Sequence, residues 1–308
     1  MIAPPLIVVA GATATGKTDL AIRLAEALRD GDRPVEIISA DSRQVYRGLD
    51  IGTAKATEAD RARIPHHGLD LVEPDEPFSL ANFVEHAQSV LDDLGRRGGI
   101  AILAGGTGLY LRAVGRGLDT AVLPSDREVR ARLEAELATG GLETLVNRLQ
   151  AMAPRRAAKV DLRNPRRVVR ALEMATIGGD EPPPLPRGYA GVSHWFGLTL
   201  DSRAHADRIA VRAKAQFDAG LIEEARALRE RFDPSLPAFS AIGYREAWSV
   251  FDGERTLDEA VAEDVRRNIG FAKRQRTWFR SEPDITWLDA TSEPASRRIV
   301  EVVLRATP

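Results

Sequence analysis

Short, mainly apolar runs alternate with amphipathic segments in the first third of the chain. The runs cover residues 5–10, 35–40 and 99–106, of which the second also contains Glu36 and Ser39, and segments 18–28 and 80–94 place apolar side chains at helical spacing. A strand that is apolar throughout is typical of a parallel sheet covered on both faces, and its alternation with helices is typical of the α/β class. We therefore predict an α/β fold, a parallel sheet with helices on both of its faces.

Each apolar run ends in a residue suited to a ligand-binding turn. Gly11 follows the first run, Asp41 follows the second, and Gly105 lies at the end of the third. Ligands of open parallel sheets bind at the carboxyl ends of the strands. The sequence therefore predicts that three separate segments converge on one cleft. A further short strand is predicted over residues 67–72.

The alternating pattern stops after the third run. Residues 125–138 predict a charged helix, for which Ser125 is the expected N-cap and Glu128 completes a capping box. Further helices lead to the proline-rich stretch 178–191, which predicts a linker because proline interrupts helices. We interpret this region as a helical insertion that leaves the sheet and returns to it.

The last third of the chain returns to strand character and then becomes mainly helical. A strand, three helices, a strand and a terminal helix are predicted over residues 194–200, 202–219, 221–232, 256–279, 284–289 and 292–305. The predicted domains are a core of residues 1–121 and 192–308 and a helical insertion of residues 122–191.

Residues 6–18 contain the clearest single motif. An apolar strand leads into G-x-x-x-x-G-K-T, the pattern of a P-loop, which surrounds phosphate groups with backbone N–H groups and a helix N-terminus. We expect Lys17 to reach the outer phosphates and the Thr18 hydroxyl to bind Mg²⁺. The predicted loop consists of Gly11, Ala12, Thr13, Ala14, Thr15, Gly16, Lys17 and Thr18. The motif alone does not identify the phosphate compound.

Asp41 has three alternative interpretations. A carboxylate at a strand end beside a P-loop often supports magnesium, and spacing alone favours this role. The same carboxylate can act as a general base facing the phosphate donor. It can also have the purely structural role of capping the next turn.

The composition excludes several classes of site. None of the 308 residues is cysteine, which excludes disulfides, thiolate zinc sites and thiol nucleophiles. We find no signal peptide and no apolar run near the roughly 18 residues of a membrane span, so we expect a soluble, cytoplasmic protein without membrane association. Because the adjacent His66 and His67 would point to opposite faces of a strand, we do not expect them to share a metal ion.

Basic residues are concentrated in two segments, although the formal net charge is −2. Residues 155–170 contain seven Arg or Lys and one Asp, and residues 266–280 contain six Arg or Lys and no acidic residue. Either segment alone is compatible with a solvated helix face. Two such segments in a nearly neutral chain indicate a localised basic surface for a polyanion.

Further motifs follow the P-loop along most of the chain. They are Asp41-Ser-Arg-Gln-Val-Tyr-Arg-Gly-Leu-Asp-Ile-Gly-Thr-Ala-Lys55, His66-His67, Gly105-Gly-Thr-Gly-Leu-Tyr110, Asn164-Pro-Arg-Arg-Val-Val-Arg-Ala-Leu-Glu173, Ala241-Ile-Gly-Tyr-Arg245 and Lys273-Arg-Gln-Arg-Thr-Trp-Phe-Arg280. In this order they closely resemble the tRNA dimethylallyltransferase family, also called isopentenyl-diphosphate:tRNA transferases, of the bacterial type.

The resemblance implies a P-loop kinase-like core with a helical insertion that grips the anticodon arm of tRNA. It implies transfer of a dimethylallyl group from dimethylallyl diphosphate to N6 of adenine 37, with Mg²⁺ as the cofactor and no obligatory protein partner. Asp41 then matches the catalytic general base. Arg208 and Arg212 both match the region that supplies an arginine to the diphosphate, and the resemblance does not choose between them.

The resemblance also implies a set of tRNA-contacting residues. They are Asp41, Ser42, Arg43, Gln44, Thr107, Arg130, Arg166, Arg167, Arg170, Gly243, Tyr244, Arg245, Lys273, Arg274, Arg276 and Arg280. Among them, Gln44 is the expected reader of a base edge, and Arg43 departs from the small or apolar residue that is common in relatives. Trp278 and Phe279 either stack on bases or pack in the core.

Two functions from other classes remain as alternatives. A small-molecule or nucleotide kinase shares the P-loop and the sheet, and it predicts ATP turnover with a phosphoryl acceptor. A non-catalytic RNA-binding module with a degenerate P-loop is the other alternative. The segment 41–55 and the basic segment 266–280 argue against the kinase, and the intact Lys17, Thr18 and Asp41 argue against the module.

Overall fold

The computed structural model describes residues 3–29, 31–120, 125–181, 185–291, 297 and 299–301. Contacts divide the chain into two compact units, one of residues 1–117 with 188–308 and the other of residues 118–187. The second unit begins at residue 118 rather than the predicted 122, and it ends at residue 187 rather than 191.

The larger unit is built on a six-stranded sheet with the order β3-β2-β4-β1-β5-β6, in which all neighbouring strands are parallel. Strands β1, β2 and β4 are buried along their whole length, as expected of a two-sided parallel sheet, although β2 buries Glu36 and Ser39 as well as apolar residues. The predicted α/β class with a parallel sheet is confirmed. The strands are β1 (Leu6–Gly11), β2 (Val35–Ser39), β3 (His66–His67), β4 (Ile100–Gly105), β5 (Ser193–Thr199) and β6 (Thr286–Asp289).

Helices account for most of the remaining described residues. In the larger unit, none of the described helices is long and apolar enough to cross a membrane, and the same holds for those of the smaller unit. The helices are α1 (Lys17–Leu28), α2 (Glu58–Arg63), α3 (Leu80–Arg96), α4 (Gly108–Gly115), α5 (Arg127–Met152), α6 (Pro154–Ala157), α7 (Pro165–Gly178), α8 (Ser202–Asp218), α9 (Leu221–Arg231), α10 (Tyr244–Phe251) and α11 (Leu257–Phe279), with a 3₁₀ turn at Pro237–Ser240.

Alternate side chains of β1 enter two different cores. Leu6 and Val8 pack with side chains from α3, α4, α9 and α10, whereas Ile7 and Val9 pack with side chains from α1. Successive strand residues point to opposite faces of a sheet, so one fully apolar strand supports both cores. The prediction that helices cover both faces is confirmed.

Two local predictions are wrong. The N-cap of α5 is Asp126 rather than Ser125, because the Asp126 carboxylate accepts the backbone N–H groups of Glu128 and Val129 at 2.8 and 3.1 Å. Both residue types are good N-caps, so their adjacency made the choice ambiguous. The strand predicted over residues 67–72 is only the short β3, because Gly68 turns the chain with a φ of 77°. The predicted terminal helix lies largely outside the described residues.

The two histidines of β3 bind neighbouring protein groups. His67 Nε2 lies 2.6 Å from Glu36 Oε2, and Arg97 donates to the other oxygen of Glu36 at 2.7 Å. His66 Nδ1 lies 2.7 Å from the Ile64 carbonyl oxygen. Among the described residues, no cluster of three or more His, Asp or Glu side chains could hold a metal ion.

The smaller unit has a core of its own, with a buried carboxylate beside it. Glu173 is fully buried, and its Oε2 accepts from Arg130 at 2.8 Å and from Arg170 at 2.7 Å. Burial alone would raise the pKa of Glu173, but its hydrogen bonds hold that pKa below the ordinary value. Arg130 and Arg170 therefore have a structural role, while Arg166 and Arg167 are exposed. Contact of all four with tRNA stays a prediction.

Candidate active site

The P-loop connects β1 to α1 and curls around its own backbone. Gly16 has a φ of 89°, a left-handed conformation that favours glycine. The Thr15 hydroxyl donates to the Ala12 carbonyl oxygen at 2.9 Å, and Lys17 Nζ donates to the same oxygen at 2.7 Å. The lysine ammonium is thereby folded over the loop.

Burial lowers the pKa of Lys17 from 10.5 to about 8. The charge of Asp41 acts in the opposite direction, and the charge of Arg212 lowers the pKa further. Burial and the nearby Arg212 together outweigh the attraction of Asp41, so the protonated form of Lys17 is destabilised. An anionic ligand in the loop would stabilise the protonated form and raise this pKa again.

Two adjoining cavities open around the P-loop and the strand ends. The first, which we name the P-loop cavity, has a volume of about 300 Å³ and is lined by Thr13, Ala14, Gly16, Lys17, Thr18, Asp19, Ser39, Asp41, Gln44, Thr53, Ala54, Ala104, Gly105, Gly106, Arg212, Phe271 and Gln275. Residues that follow β1, β2 and β4 all line it. The prediction that three strand ends converge on one cleft is confirmed.

The second cavity, which we name the arginine cavity, has a volume of about 450 Å³. It is lined by Thr13, Asp41, Ser42, Arg43, Gly52, Thr53, Thr107, Arg212, Ser240, Ala241, Ile242, Arg266, Arg267, Asn268, Gly270, Phe271 and Arg274. Five of these residues also line the P-loop cavity: Thr13, Asp41, Thr53, Arg212 and Phe271. We call these five the shared wall.

Asp41 sits in the shared wall because the turn after β2 is held from several sides. Its Oδ1 accepts the Arg43 N–H at 2.8 Å, so the carboxylate does cap the next turn. The Thr107 hydroxyl accepts the Ser42 N–H at 3.0 Å. A Cβ at Gly105 would lie 2.1 Å from the Ala40 carbonyl oxygen, so only glycine allows this approach of β4. Capping uses one carboxylate oxygen and is compatible with a chemical role for the other.

The structure places Arg212, and not Arg208, in the shared wall. Arg212 Nη2 donates to Asn268 Oδ1 at 3.1 Å, while its buried Nε has no hydrogen-bond partner among the described residues. Burial lowers the pKa of Arg212, and the charges of Asp264 and Asp41 oppose that effect. Arg208 is exposed and lines neither cavity. The cavity lining thus favours Arg212, although Arg208 Nη1 lies 3.8 Å from where a Cβ at Gly16 would be. Which of the two arginines binds the diphosphate stays a prediction.

Gln275 is a site residue that sequence reasoning missed. Its Oε1 accepts the Thr13 N–H at 2.8 Å, and its Nε2 donates to the Gly106 carbonyl oxygen at 2.9 Å. His205 Nε2 lies 2.8 Å from the Thr13 carbonyl oxygen, so the backbone of residue Thr13 is held at both its N–H and its carbonyl group. Thr13 was predicted to offer its N–H to phosphate, and the structure corrects this because Gln275 occupies that N–H. The sequence signal was weak: Gln275 is the one amide side chain within the basic motif 273–280.

Replacing Gln275 by alanine is expected to lower the free energy of unfolding by about 1–3 kcal/mol, because the partly buried Thr13 N–H and Gly106 carbonyl lose their partners. Urea denaturation of the purified variant measures the change. Thr277→Ala, at an exposed position of the same helix, is the control and should change stability by less than about 0.5 kcal/mol. Equal stability of the Gln275 variant and the wild type would contradict the bridging role.

Comparison with known proteins agrees with this geometry. A family model described as IPP transferase matches residues 44–282. The chain is 43% identical over 290 residues to the tRNA dimethylallyltransferase of Thermus thermophilus, covering 94% of each chain. It is 42% identical over 308 residues to the tRNA dimethylallyltransferase of a Roseiflexus species, covering 97% of each. The chain belongs to the IPP transferase family. The predicted family is confirmed, and with it the prediction of a prenyl-transferring enzyme.

Solved structures extend the similarity to the fold. The full-length tRNA isopentenylpyrophosphate transferase of Bacillus halodurans has a TM-score of 0.71 at 35% identity, covering 98% of this chain and 96% of that one. A eukaryotic dimethylallyltransferase acting on tRNA has a TM-score of 0.79 at 26% identity, covering 99% of this chain and 80% of that one. The IPP transferase fold is thus shared over nearly the whole chain.

Several residues predicted to contact RNA in this IPP transferase line the arginine cavity. They are Asp41, Ser42, Arg43, Thr107 and Arg274. Gln44 instead lines the P-loop cavity, where its amide accepts from Ser39 and donates to the Thr53 carbonyl oxygen. Its base-reading role stays a prediction, because these internal bonds already use both ends of the amide. The exposed or half-buried Arg245, Lys273, Arg276 and Arg280 line neither cavity, and their contact with tRNA also stays a prediction.

Burial does not support a direct RNA contact by Tyr244 or Gly243. Tyr244 is fully buried, and its hydroxyl donates to Glu224 Oε1 at 2.7 Å. Glu224 also accepts the N–H groups of Ile51 and Gly52 at 2.7 and 3.1 Å. This burial argues against the predicted contact of Tyr244 with tRNA. Through Glu224, its hydroxyl instead supports the loop that carries Gly52, which lines the arginine cavity.

The two aromatic residues at the end of α11, Trp278 and Phe279, pack against other protein groups. Phe279 is 1% exposed, and its ring meets that of Trp278 edge to face at 5.2 Å. The Arg112 guanidinium lies over the Trp278 ring at 4.5 Å from its centroid. A Cβ at Gly108 would lie 2.1 Å from the Trp278 ring. The Trp278 ring therefore packs α11 against α4, and the Phe279 ring packs in the core.

The residues present suit Mg²⁺. The exposed Thr18 side chain and the Asp41 carboxylate line the same P-loop cavity, and both carry hard oxygen atoms. Mg²⁺ is usually held by one or two protein oxygens together with substrate phosphates and water.

Proposed function

We propose that this IPP transferase moves a dimethylallyl group from dimethylallyl diphosphate to N6 of adenine 37 in tRNA. The observation that carries the proposal is the position of Asp41 in the wall shared by the P-loop cavity and the arginine cavity. A donor in the first cavity and a base in the second would meet at this carboxylate. The names of the relatives support the same substrates.

The P-loop cavity would hold the diphosphate. Lys17 and Arg212 place two positive charges there, and the lowered pKa of Lys17 reflects a cation that an anionic ligand would stabilise. The unpaired Nε of Arg212 supplies a donor for a phosphate oxygen. Mg²⁺, held by the Thr18 hydroxyl with Asp41 nearby, would add positive charge beside the diphosphate. These groups would stabilise the charge that develops on the leaving group.

Asp41 would act as the general base. The adenine amine is a weak nucleophile because its lone pair is delocalised into the ring. In the transfer, the bond from the allylic carbon to the diphosphate oxygen breaks, the bond from N6 to that carbon forms, and one N6 proton passes to the Asp41 carboxylate. The oxygen of Asp41 that the turn does not require is available for this proton.

The transferred carbon chain would lie against the shared wall. Phe271 is the large apolar side chain of that wall and is 38% exposed, so it offers a surface to a five-carbon group. An aromatic face also attracts developing positive charge on an allylic carbon. Lys17 and Arg212 would thus bind the diphosphate of the donor, and Phe271 in the same cavity would contact its carbon chain.

The arginine cavity would receive the adenine after it leaves its stack in the anticodon loop. Enzymes that modify a base commonly extrude it into a pocket, and RNA loops are read by edge contacts and stacking. Arg43, Arg266 and Arg274 line this cavity and would contact the RNA around the base. We assign the insertion, residues 122–191 in the sequence prediction, to the anticodon arm.

One assay tests the proposal against its alternatives. The purified protein is incubated with Mg²⁺, labelled dimethylallyl diphosphate and a tRNA with adenines at positions 36 to 38; a tRNA with guanine at position 37 is the control. The proposal expects label in the first tRNA as N6-isopentenyladenosine and none in the control. Phosphorylation of a small acceptor by ATP without label in tRNA would favour the kinase. Binding of tRNA without either reaction would favour the RNA-binding module.

A further inference from the structure

A second residue, Asn268, fixes the guanidinium of Arg212. Arg212 lies on α8 and Asn268 lies on α11, and the two side chains join these helices through the 3.1 Å bond from Nη2 to Oδ1. Asn268 is 5% exposed and lines the arginine cavity. The bond leaves Arg212 Nε without a partner among the described residues, in a wall that also faces the P-loop cavity.

Asp264 fixes the orientation of the Asn268 amide. Asn268 Nδ2 donates to Asp264 Oδ1 at 2.7 Å and to the Asp264 carbonyl oxygen at 3.2 Å. A flipped amide would place its NH₂ group against the guanidinium and its oxygen against the carboxylate. Both contacts would then join like groups, so the carboxylate of Asp264 selects the orientation that offers Oδ1 to Arg212.

The amide is a neutral link between two charges. Asp264 is 2% exposed, and Glu246, Arg212 and Arg267 are the charged groups that act on it. Burial raises the pKa of Asp264 to about 6, while the hydrogen bond from Asn268 lowers it. A carboxylate bound directly to Arg212 would neutralise the guanidinium. With Asn268 between them, Arg212 is oriented while its positive charge remains available to a ligand.

We infer that Asn268 and Asp264 are positioning residues for this IPP transferase: they orient Arg212 through a neutral amide so that its guanidinium binds the diphosphate of the donor. The inference rests on the proposed function for the identity of that ligand. A purely structural role, in which the pair only joins α8 to α11, predicts changes in stability alone. The two roles are separable because exchanging the carboxylate at position 264 with the amide at position 268 preserves the chain of hydrogen bonds to Arg212.

Asn268→Asp and the double variant Asp264→Asn with Asn268→Asp test the inference. The single variant brings two carboxylates together and removes the donor to Asp264, so we expect a lower melting temperature and at least a tenfold weaker affinity for inorganic pyrophosphate. In the double variant, Asn at 264 donates to Asp at 268, which accepts from Arg212. We expect the melting temperature to recover while the affinity stays at least tenfold weaker, because a carboxylate now neutralises Arg212.

Isothermal titration with inorganic pyrophosphate and Mg²⁺ measures the affinity, and thermal unfolding measures the stability. Asp258→Asn, an exposed carboxylate-to-amide change on the same helix, is the matched control and should change neither. Recovery of both stability and affinity in the double variant would overturn the inference, as would wild-type affinity in the single variant. Pyrophosphate binding needs no transfer step, so failure of the transfer assay would leave this result interpretable.

Discussion

Replacing Asp41 by asparagine is expected to slow transfer of the dimethylallyl group by about 10²–10⁴-fold while tRNA remains bound. Asparagine has the same shape, and its Oδ1 can still accept the Arg43 N–H, so the turn after β2 should persist. It cannot take up the proton that leaves N6 in the proposed reaction. The change therefore separates the chemical role of the carboxylate from its capping role.

Single-turnover transfer of labelled dimethylallyl to tRNA measures the effect, and fluorescence anisotropy measures tRNA affinity. Glu58→Gln is the control, because it makes the same carboxylate-to-amide change at an exposed position that lines neither cavity. A large loss of tRNA affinity with unchanged single-turnover rate would be the signature of a binding residue rather than a base. If both the transfer rate and the tRNA affinity were unchanged, Asp41 would serve only to cap the turn after β2.

The fold was largely predictable because its information is local. The strands β1 and β4 contain no polar side chain, and β2 contains only Glu36 and Ser39 besides its apolar residues, which is typical of strands buried on both faces of a sheet. The capping box of Thr256 and Glu259 likewise marks the start of α11 within four residues of sequence. The cap of α5 failed because two adjacent residues, Ser125 and Asp126, carry the same local signal.

The site was predictable only where its residues follow strand ends or motifs. Asp41 and Lys17 belong to that class. Gln275 and Asn268 do not, because they act through bonds to residues distant in sequence, such as Thr13 and Arg212. Such pairings depend on how α11 crosses the sheet and α8, and no local pattern encodes this.

Burial explains why the tRNA-contact prediction was weakest at Tyr244. A motif aligns positions but does not separate residues that touch a ligand from those that support the touching ones. The Tyr244 ring lies 2.6 Å from where a Cβ at Gly52 would be, so tyrosine and glycine fit together beneath the rim. The same reasoning applies to the pair Arg208 and Arg212. They lie one helical turn apart, and only the tertiary structure distinguishes the exposed one from the one in the shared wall.

Arg212→Lys is expected to lower kcat/KM for dimethylallyl diphosphate by about 10²-fold, whereas Arg208→Lys should change it by less than about twofold. Lysine keeps a positive charge but lacks both the Nε donor and the planar fork that Asn268 orients. Initial rates at saturating tRNA and varied donor concentration measure both variants. The matched change on the same helix controls for any general effect of lysine on α8. A larger loss for Arg208→Lys than for Arg212→Lys would reverse the assignment and place the diphosphate outside the wall that the two cavities share.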